Sequence, residues 1–408
     1  MPTLSSPLAL PCGVDLPNRL AKAAMSEQLG DVVTNAPTDR LARLYERWSA
    51  GGAGLLITGN VMVDRRALGE PRNVAVEDDR DLDALRAWAE ASTQHGTQAL
   101  VQINHPGRQS PRMLSRRPVA PSAVPIKGLQ TAFAKPRTLT DDEIHEIIGR
   151  FARTADIVVR AGFTGVQIHG AHGYLVSQFL SPRTNQRQDA WGGDPQRRRR
   201  FLIELVRAIR DEIGAQTPLS VKLNSADFQR GGFSEEESMA VVEALEEEGV
   251  DLLEISGGTY ERAAMVGDLA EQRQSTRERE AYFLEYARQV RRRTRMPLML
   301  TGGLRSAEAM NAVLEEGAVD VIGIGRPMAV EPELPRELLS GAVAASGDRP
   351  QRIGIKRADA LTDLAWHTQQ LWRLGDGQEP DPRRTPAAAL ATWAKASARD
   401  SATRLRHR

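Results

Sequence analysis

The chain has 408 residues, 41% of them hydrophobic and 26% charged, which suits a full-sized water-soluble core. Its 54 basic and 53 acidic side chains nearly cancel, so charge gives no reason to expect a nucleic acid or a membrane as partner, and a small molecule is the better expectation. A single cysteine, Cys12, excludes an internal disulfide framework, a cysteine-ligated iron–sulfur cluster and a zinc ribbon within one chain.

The opening MPTLSSPLALPCG has neither a basic start nor an uninterrupted apolar core, and no later stretch is apolar enough to span a bilayer, so a cytoplasmic location is expected. Residues 6–18 predict a hairpin that closes the floor of the domain. From there short aliphatic runs alternate with longer amphipathic segments. Strands are predicted over 20–25, 54–59, 98–103, 164–169, 218–223, 251–256, 297–301 and 319–324. Helices are predicted over 38–50, 79–95, 140–161, 195–213, 234–248, 276–294 and 305–316, with a shorter one near 331–340. Thr140 before Glu143, and Ser234 before Glu237, have the spacing of capping boxes, and Gly162, Gly249 and Gly317 stand where helices should stop.

Eight strand-then-helix units with strands buried on both faces predict an α/β fold with a parallel sheet, and the count of eight suggests a closed TIM (β/α)8 barrel over residues 1–341. The rival open sheet lacks a GxGxxG after its first strand. Its glycine-rich turns come late, at Gly302-Gly303 and Gly323–Gly325, where barrels often build a phosphate site. Residues 104–139 form a connection long enough for a binding loop, and they share the pocket walls with 257–275. Residues 342–408 read as a helical extension broken by "GDGQEPDPRRTP" (375–386), packing on the barrel or on a partner subunit; a homodimer or higher homo-oligomer is expected from that tail.

Catalytic groups of such barrels sit at the C-terminal ends of the strands. Those ends carry Ala24-Met25-Ser26, Thr58-Gly59-Asn60, Gln102 through His105, His169 with His172 and Tyr174, Lys222 with Asn224, Ser256-Gly257-Gly258, Gly302-Gly303 and Gly325-Arg326. Singly, each reads as a loop residue that is polar because water is near. Together they describe a mouth for a polar ligand with a phosphate at one end. Two histidines at i, i+3 could instead begin a metal site, but their motif holds no carboxylate or cysteine close by. The basic runs "RRRR" (197–200) and "RRRTR" (291–295) lie in predicted helices with acidic partners such as Glu204 and read as solvated faces.

These residues resemble the Old Yellow Enzyme family of FMN-dependent ene-reductases. The resemblance runs from about Asn18 to Arg326 and rests on "NRLAKAAMSE" (18–27), "LVQINHPGR" (100–108), "APSAV" (120–124), "IHGAHGYLVSQFLSPRTNQRQDAWGG" (168–193), "TGG" (301–303) and "GIGR" (323–326). The fourth is highly specific, and the others would be weak alone. Trp191 departs from the tyrosine usual at its position.

The resemblance implies FMN as bound cofactor and NADH or NADPH as the electron donor, docking directly because the chain has neither the cysteines nor the length for the added cluster and domain of larger relatives. The backbone of Gly302, Gly303 and Gly325 with the Arg326 guanidinium would receive the phosphate. Gln102 would meet the pyrimidine edge of the ring, Lys222 its N1 and O2, and Ala24, Met25 and Gly59 would line it. Ser26 stands where members carry a threonine or cysteine that contacts O4, a departure that bears on the redox potential. His169 and His172 would donate to the carbonyl or nitro oxygen of an activated alkene while hydride arrives from flavin N5, and Tyr174 would deliver the proton. Other readings stay open: an FMN barrel acting oxidatively in amine demethylation or ketone desaturation, a flavin-binding protein without turnover, and a flavin-free aldolase using Lys222 as a Schiff base.

Overall fold

The computed structural model describes residues 1–227, 231–256 and 283–407. At its centre eight parallel strands close on themselves. In chain order β1 to β8 are Leu20–Lys22, Leu55–Ile57, Gln98–Asn104, Gly165–Gly170, Leu219–Asn224, Leu252–Ser256, Leu298–Thr301 and Val321–Ile324. Each pairs with its successor, and β8 returns to β1 with Ile322 opposite Leu20 and Ile324 opposite Lys22. This is the TIM barrel expected from the sequence, and every barrel strand overlaps its predicted run.

Strand alternation gives each strand two uses. Leu20, Leu56, Val101, Val166, Ile168, Val221 and Ile322 face outward and join the main core with the helices. Ala21, Leu55, Ile57, Leu100, Leu252, Met299 and Val321 face inward and form a second apolar cluster together with Leu10 and Leu16. Those two leucines come from the N-terminal hairpin, in which Leu8–Ala9 pairs with Asp15–Leu16, so the hairpin does plug the floor. Nearer the strand ends the inward positions become polar and remain buried: Gln102, Gln167, His169, Ser220, Lys222 and Glu254.

The helices Asp39–Ala50, Leu82–Thr93, Asp141–Arg160, Pro195–Ile213, Glu235–Glu247, Ala307–Glu315 and Leu334–Ser340 follow their predicted spans. Of the predicted helix 276–294, residues 283–291 are helical and 276–282 lie outside the described residues, as does the expected pocket wall at 257–275. Both capping boxes form, at Thr140 and at Ser234, each satisfying two amides that the helix leaves without an internal partner. The sequence pattern missed one short helix, Leu175–Leu180, which starts directly after Tyr174. The basic runs are absorbed by pairs within the chain: Arg198 with Glu237, Arg200 with Glu204, Arg291 with Asp320 and Arg293 with Glu243.

Residues 104–139 are tied down by a short parallel ribbon, Val119–Ala120 against Arg137–Thr138. Arg187 holds this excursion from outside, its Nη1 donating to the carbonyls of Pro121 at 3.2 Å and Leu139 at 2.6 Å. Beyond the last barrel helix, Lys356–Gly375 and Pro386–Arg406 form two further helices separated at the predicted break. They dock on the chain's own barrel. Trp372 Nε1 donates to the Glu27 carbonyl at 3.0 Å, Arg43 Nε to the Gly375 carbonyl at 2.9 Å, and Arg72 pairs with Asp400 at 2.5 Å. Among the described residues no helix is long and apolar enough to cross a membrane.

Candidate active site

The mouth of the barrel is organised around β4. Its sequence GVQIHG sends Val166 and Ile168 outward and Gln167 and His169 inward. The chain then turns sharply. His172 adopts φ +59°, a left-handed conformation uncommon outside glycine, and a Cβ on the following Gly173 would lie 2.5 Å from Gln109 Nε2. Two bonds fix the turn: His172 N–H donates to Asn224 Oδ1 at 3.2 Å, and Gln109 Nε2 donates to the His172 carbonyl at 3.0 Å. The strained turn brings three rings together. His169 lies 5.0 Å from His172 and 4.8 Å from Tyr174, centroid to centroid, and both pairs meet edge to face.

The protons on these rings follow from their neighbours. His169 Nδ1 accepts the Ala171 N–H at 3.2 Å, so a neutral ring carries its hydrogen on Nε2. Burial, with the His172 and Lys222 charges adding to it, holds His169 well below the ordinary histidine range. Burial and Lys222 bring His172 down to about 3. Its Nε2 stands 2.9 Å from Ser256 Oγ. Both imidazoles are therefore neutral near pH 7, and His169 is a donor through Nε2.

Beneath the rings lies a buried polar network. Lys222 pairs with Glu254 at 2.9 Å, and Glu254 also accepts from Thr301 Oγ1 at 2.7 Å and Gln167 Nε2 at 3.0 Å. Gln102 joins through its Nε2, which donates to Gln167 Oε1 at 2.7 Å. Strand register accounts for the arrangement, with Gln102 beside Gln167, His169 beside Lys222, and Lys222 beside Glu254. Gln102 and Lys222 are among the residues singled out from the sequence; Gln167 and Glu254 were missed there. Their period-two spacing from His169 and Ser256 puts them on the same inward face, and that signal could have found them.

At the ends of β1 and β2, Ala24, Met25 and Ser26 are half-buried, and Gly59 packs where a Cβ would collide with the Glu27 carboxylate and the Met25 carbonyl. The Ser26 hydroxyl meets the carboxylate of Glu70, which also accepts from Gln28 Nε2 at 2.9 Å. Burial raises Glu70 above the usual carboxylate range against the pull of these hydrogen bonds. Lys22 points the other way, out of the barrel, where its Nζ bonds the Ile57 carbonyl at 2.7 Å and lies 4.4 Å from the Trp48 ring. It supports β1 and is not part of the mouth.

The glycine turns close the opposite side. Gly302 and Gly303 have φ +110° and +86°, and a Cβ on Gly302 or Gly325 would meet nothing within 4 Å. The backbone N–H groups of Gly303 and Gly325 have no acceptor among the described residues. Exposed Arg326 adds a guanidinium whose Nη1 is bonded to Asp363 of the C-terminal extension. Open glycines, unengaged amides and a cation fit a phosphate group. No group of three or more histidine, cysteine, aspartate or glutamate side chains that could hold a metal occurs among the described residues.

Comparison with known proteins identifies the family and the fold. The model of the NADH:flavin oxidoreductase / NADH oxidase family matches residues 4–343. The NADH-dependent flavin oxidoreductase iliE of Hypocrea jecorina is 41% identical over 359 residues, covering 82% of this chain and 88% of that protein. Among solved structures, morphinone reductase is 25% identical with a TM-score of 0.70, covering 85% of this chain and 92% of its own. The Old Yellow Enzyme homologue from Zymomonas mobilis shares the fold, with a TM-score of 0.71 at 24% identity over 85% of this chain and 95% of that one.

Proposed function

The chain belongs to the NADH:flavin oxidoreductase / NADH oxidase family, the Old Yellow Enzyme family, whose members use FMN and NAD(P)H, and on that premise we propose that it reduces the C=C bond of electron-poor alkenes. The substrate class is α,β-unsaturated carbonyl or nitro compounds. When bound, FMN supplies the two-electron chemistry that links the nicotinamide to the acceptor. The protein's part is to bind, orient and protonate.

One observation carries the reading: His169, His172 and Tyr174 converge at one strand end, with the proton of His169 directed to Nε2. Neutral imidazole donors suit a carbonyl or nitro oxygen that gains negative charge as the alkene is reduced. The Ser256 hydroxyl, 2.9 Å from His172 Nε2, indicates that this nitrogen can meet an oxygen at hydrogen-bonding distance. Tyr174, beside His169, holds the proton that the α-carbon requires. Lys222 would face the pyrimidine end of the flavin, with Glu254 fixing its ammonium. Gln102, anchored by Gln167, would present its amide to the same edge, while Ala24, Met25, Ser26 and Gly59 would line the ring. Gly302, Gly303, Gly325 and Arg326 would take the phosphate.

The test is an anaerobic titration of the purified flavoprotein with NADH or NADPH, followed by cyclohexenone. Bleaching of the flavin spectrum by nicotinamide and its return with the enone is the expected result. A flavin that bleaches but is not reoxidised by enones or nitroalkenes would reject the alkene substrate and leave the family's donor chemistry intact.

A further inference from the structure

The extension does more at the phosphate end than pack against a helix. Asp363, in the helix Lys356–Gly375, meets Arg326 through Oδ2, and its Oδ1 accepts the Gln351 N–H at 2.8 Å. One turn later His367 faces it, with Nδ1 2.8 Å from the Asp363 carbonyl and 3.4 Å from Oδ1. The other nitrogen of His367, Nε2, lies 3.1 Å from Asp348 Oδ1. Asp348 in turn reaches Arg305, whose guanidinium bonds its carbonyl and lies 3.9 Å from Oδ2. The result is a chain, Arg326–Asp363–His367–Asp348–Arg305. It begins on the loop after β8 and ends on the loop after β7, the two loops that carry the glycine cradle.

Burial makes this chain a built feature. The side chains of His367 and Asp348 are 5% and 1% exposed, and that of Asp363 is 14% exposed, whereas Arg326 at the cradle is 45% exposed. Burial alone would raise Asp348, yet the His367 bond and the charges of His367, Arg326 and Arg305 hold it below the ordinary aspartate range, so it stays ionised. Backbone contacts reinforce the link. Ser306 bridges to Ala345, Ser346 N–H donates to the Arg305 carbonyl at 3.0 Å, and Ser346 Oγ donates to Glu331, just past β8, at 2.6 Å.

Asp363 uses one guanidinium nitrogen of Arg326, whose side chain stays 45% exposed, so its other N–H groups are left for a second anion. We propose that Asp363, braced by His367 and Asp348, is a positioning residue for the cofactor: it holds Arg326 in the orientation that grips the FMN phosphate. Through it the C-terminal extension sets the preference for FMN over riboflavin. The inference rests on reading Arg326 and its glycine turns as the phosphate cradle. A carboxylate beside a phosphate site is unfavourable by charge alone. Its value here is orientational, since an unrestrained arginine must give up side-chain entropy each time it binds.

The experiment measures binding of FMN and of riboflavin to the apoprotein by quenching of flavin fluorescence, for the wild type, Arg326→Ala, Asp363→Ala, Asp363→Asn and the double variant. Asp363→Ala is expected to weaken FMN about tenfold, on the scale of one charge-assisted contact, while riboflavin affinity stays constant. Asp363→Asn should retain part of that affinity, because an amide oxygen still accepts from the guanidinium. In the Arg326→Ala background, Asp363→Ala should have no further effect. Unchanged or tighter FMN binding by Asp363→Ala, with Arg326→Ala still weakening FMN, would overturn the positioning role and leave the cradle standing. Equal weakening of FMN and riboflavin would also overturn it, by assigning Asp363 to the fold. An Arg326→Ala variant that keeps the full preference for FMN would reject the cradle itself.

Discussion

The proton on His169 is placed by the Ala171 amide, and that placement separates the ring from an ordinary buried histidine. A hydrogen forced onto Nε2 makes the side chain a donor of fixed direction, and burial keeps it neutral. The donor pair predicts that His169→Ala combined with His172→Ala lowers affinity for phenolic ligands that mimic an enolate, by about tenfold or more, since each lost hydrogen bond is worth about 1 kcal/mol. Difference spectra on titration with p-hydroxybenzaldehyde would check this. Tyr174 makes a sharper case. Tyr174→Phe should leave flavin reduction by NAD(P)H unchanged and slow reoxidation by cyclohexenone about a hundredfold, the usual scale of a lost general acid. Stopped-flow measurement of the two half-reactions separates these outcomes, and equal loss in both would remove Tyr174 from the proton step. The histidines and the tyrosine were legible as a motif, whereas Glu254 and Gln167 were not. Period-two spacing marks both as inward-facing, but their contacts with Gln102 and Lys222 come from the register between neighbouring strands.

At the level of elements, the 181–193 half of the specific 168–193 motif is mainly structural. Asn185 Nδ2 donates to the carbonyls of Phe179 at 2.8 Å and Trp191 at 2.7 Å, and the Arg200 guanidinium lies 4.4 Å from the Trp191 ring. Arg187 reaches across to the excursion at 104–139. Its side chain is 9% exposed, so removing it strands two carbonyls. Arg187→Ala should therefore cost about 2–3 kcal/mol, the scale of leaving buried polar groups unsatisfied, and lower the thermal midpoint of unfolding. The same excursion supplies Gln109, which holds the His172 carbonyl, so the variant should also raise KM for the alkene. A distinctive motif thus marks a demanding geometry, and here that geometry is a loop scaffold with the chemistry at one end.

At the scale of the molecule, a polar mouth sits on an apolar floor, and its buried histidines make the fold sensitive to acid. Burial lowers His105 to about 4 and His172 to about 3, and it holds His169 well down as well. An unfolded chain takes up those protons near pH 6.5, so between about 6.5 and 4 the unfolded state binds more protons than the folded one. Stability then falls as the pH falls through that window, by about 1.4 kcal/mol per pH unit for each such histidine, and it is fully present above it. Urea unfolding at pH 7, 6 and 5 would show the decline, and His105→Gln should flatten the slope.

Periodicity and helix signals in the sequence were enough for the eight strands, for most helices but not Leu175–Leu180, for the two capping boxes, the hairpin and the break before Pro386, because each depends on residues a few positions apart. The motifs were enough for the family and singled out a set of groups at the strand ends. Tertiary structure alone decided what those groups touch: Ser26 with Glu70, Lys222 with Glu254, and Arg326 with Asp363. It also placed the extension on the chain's own barrel. These partners lie 44, 32 and 37 residues apart, and their pairing depends on barrel closure and helix docking, which local periodicity does not encode.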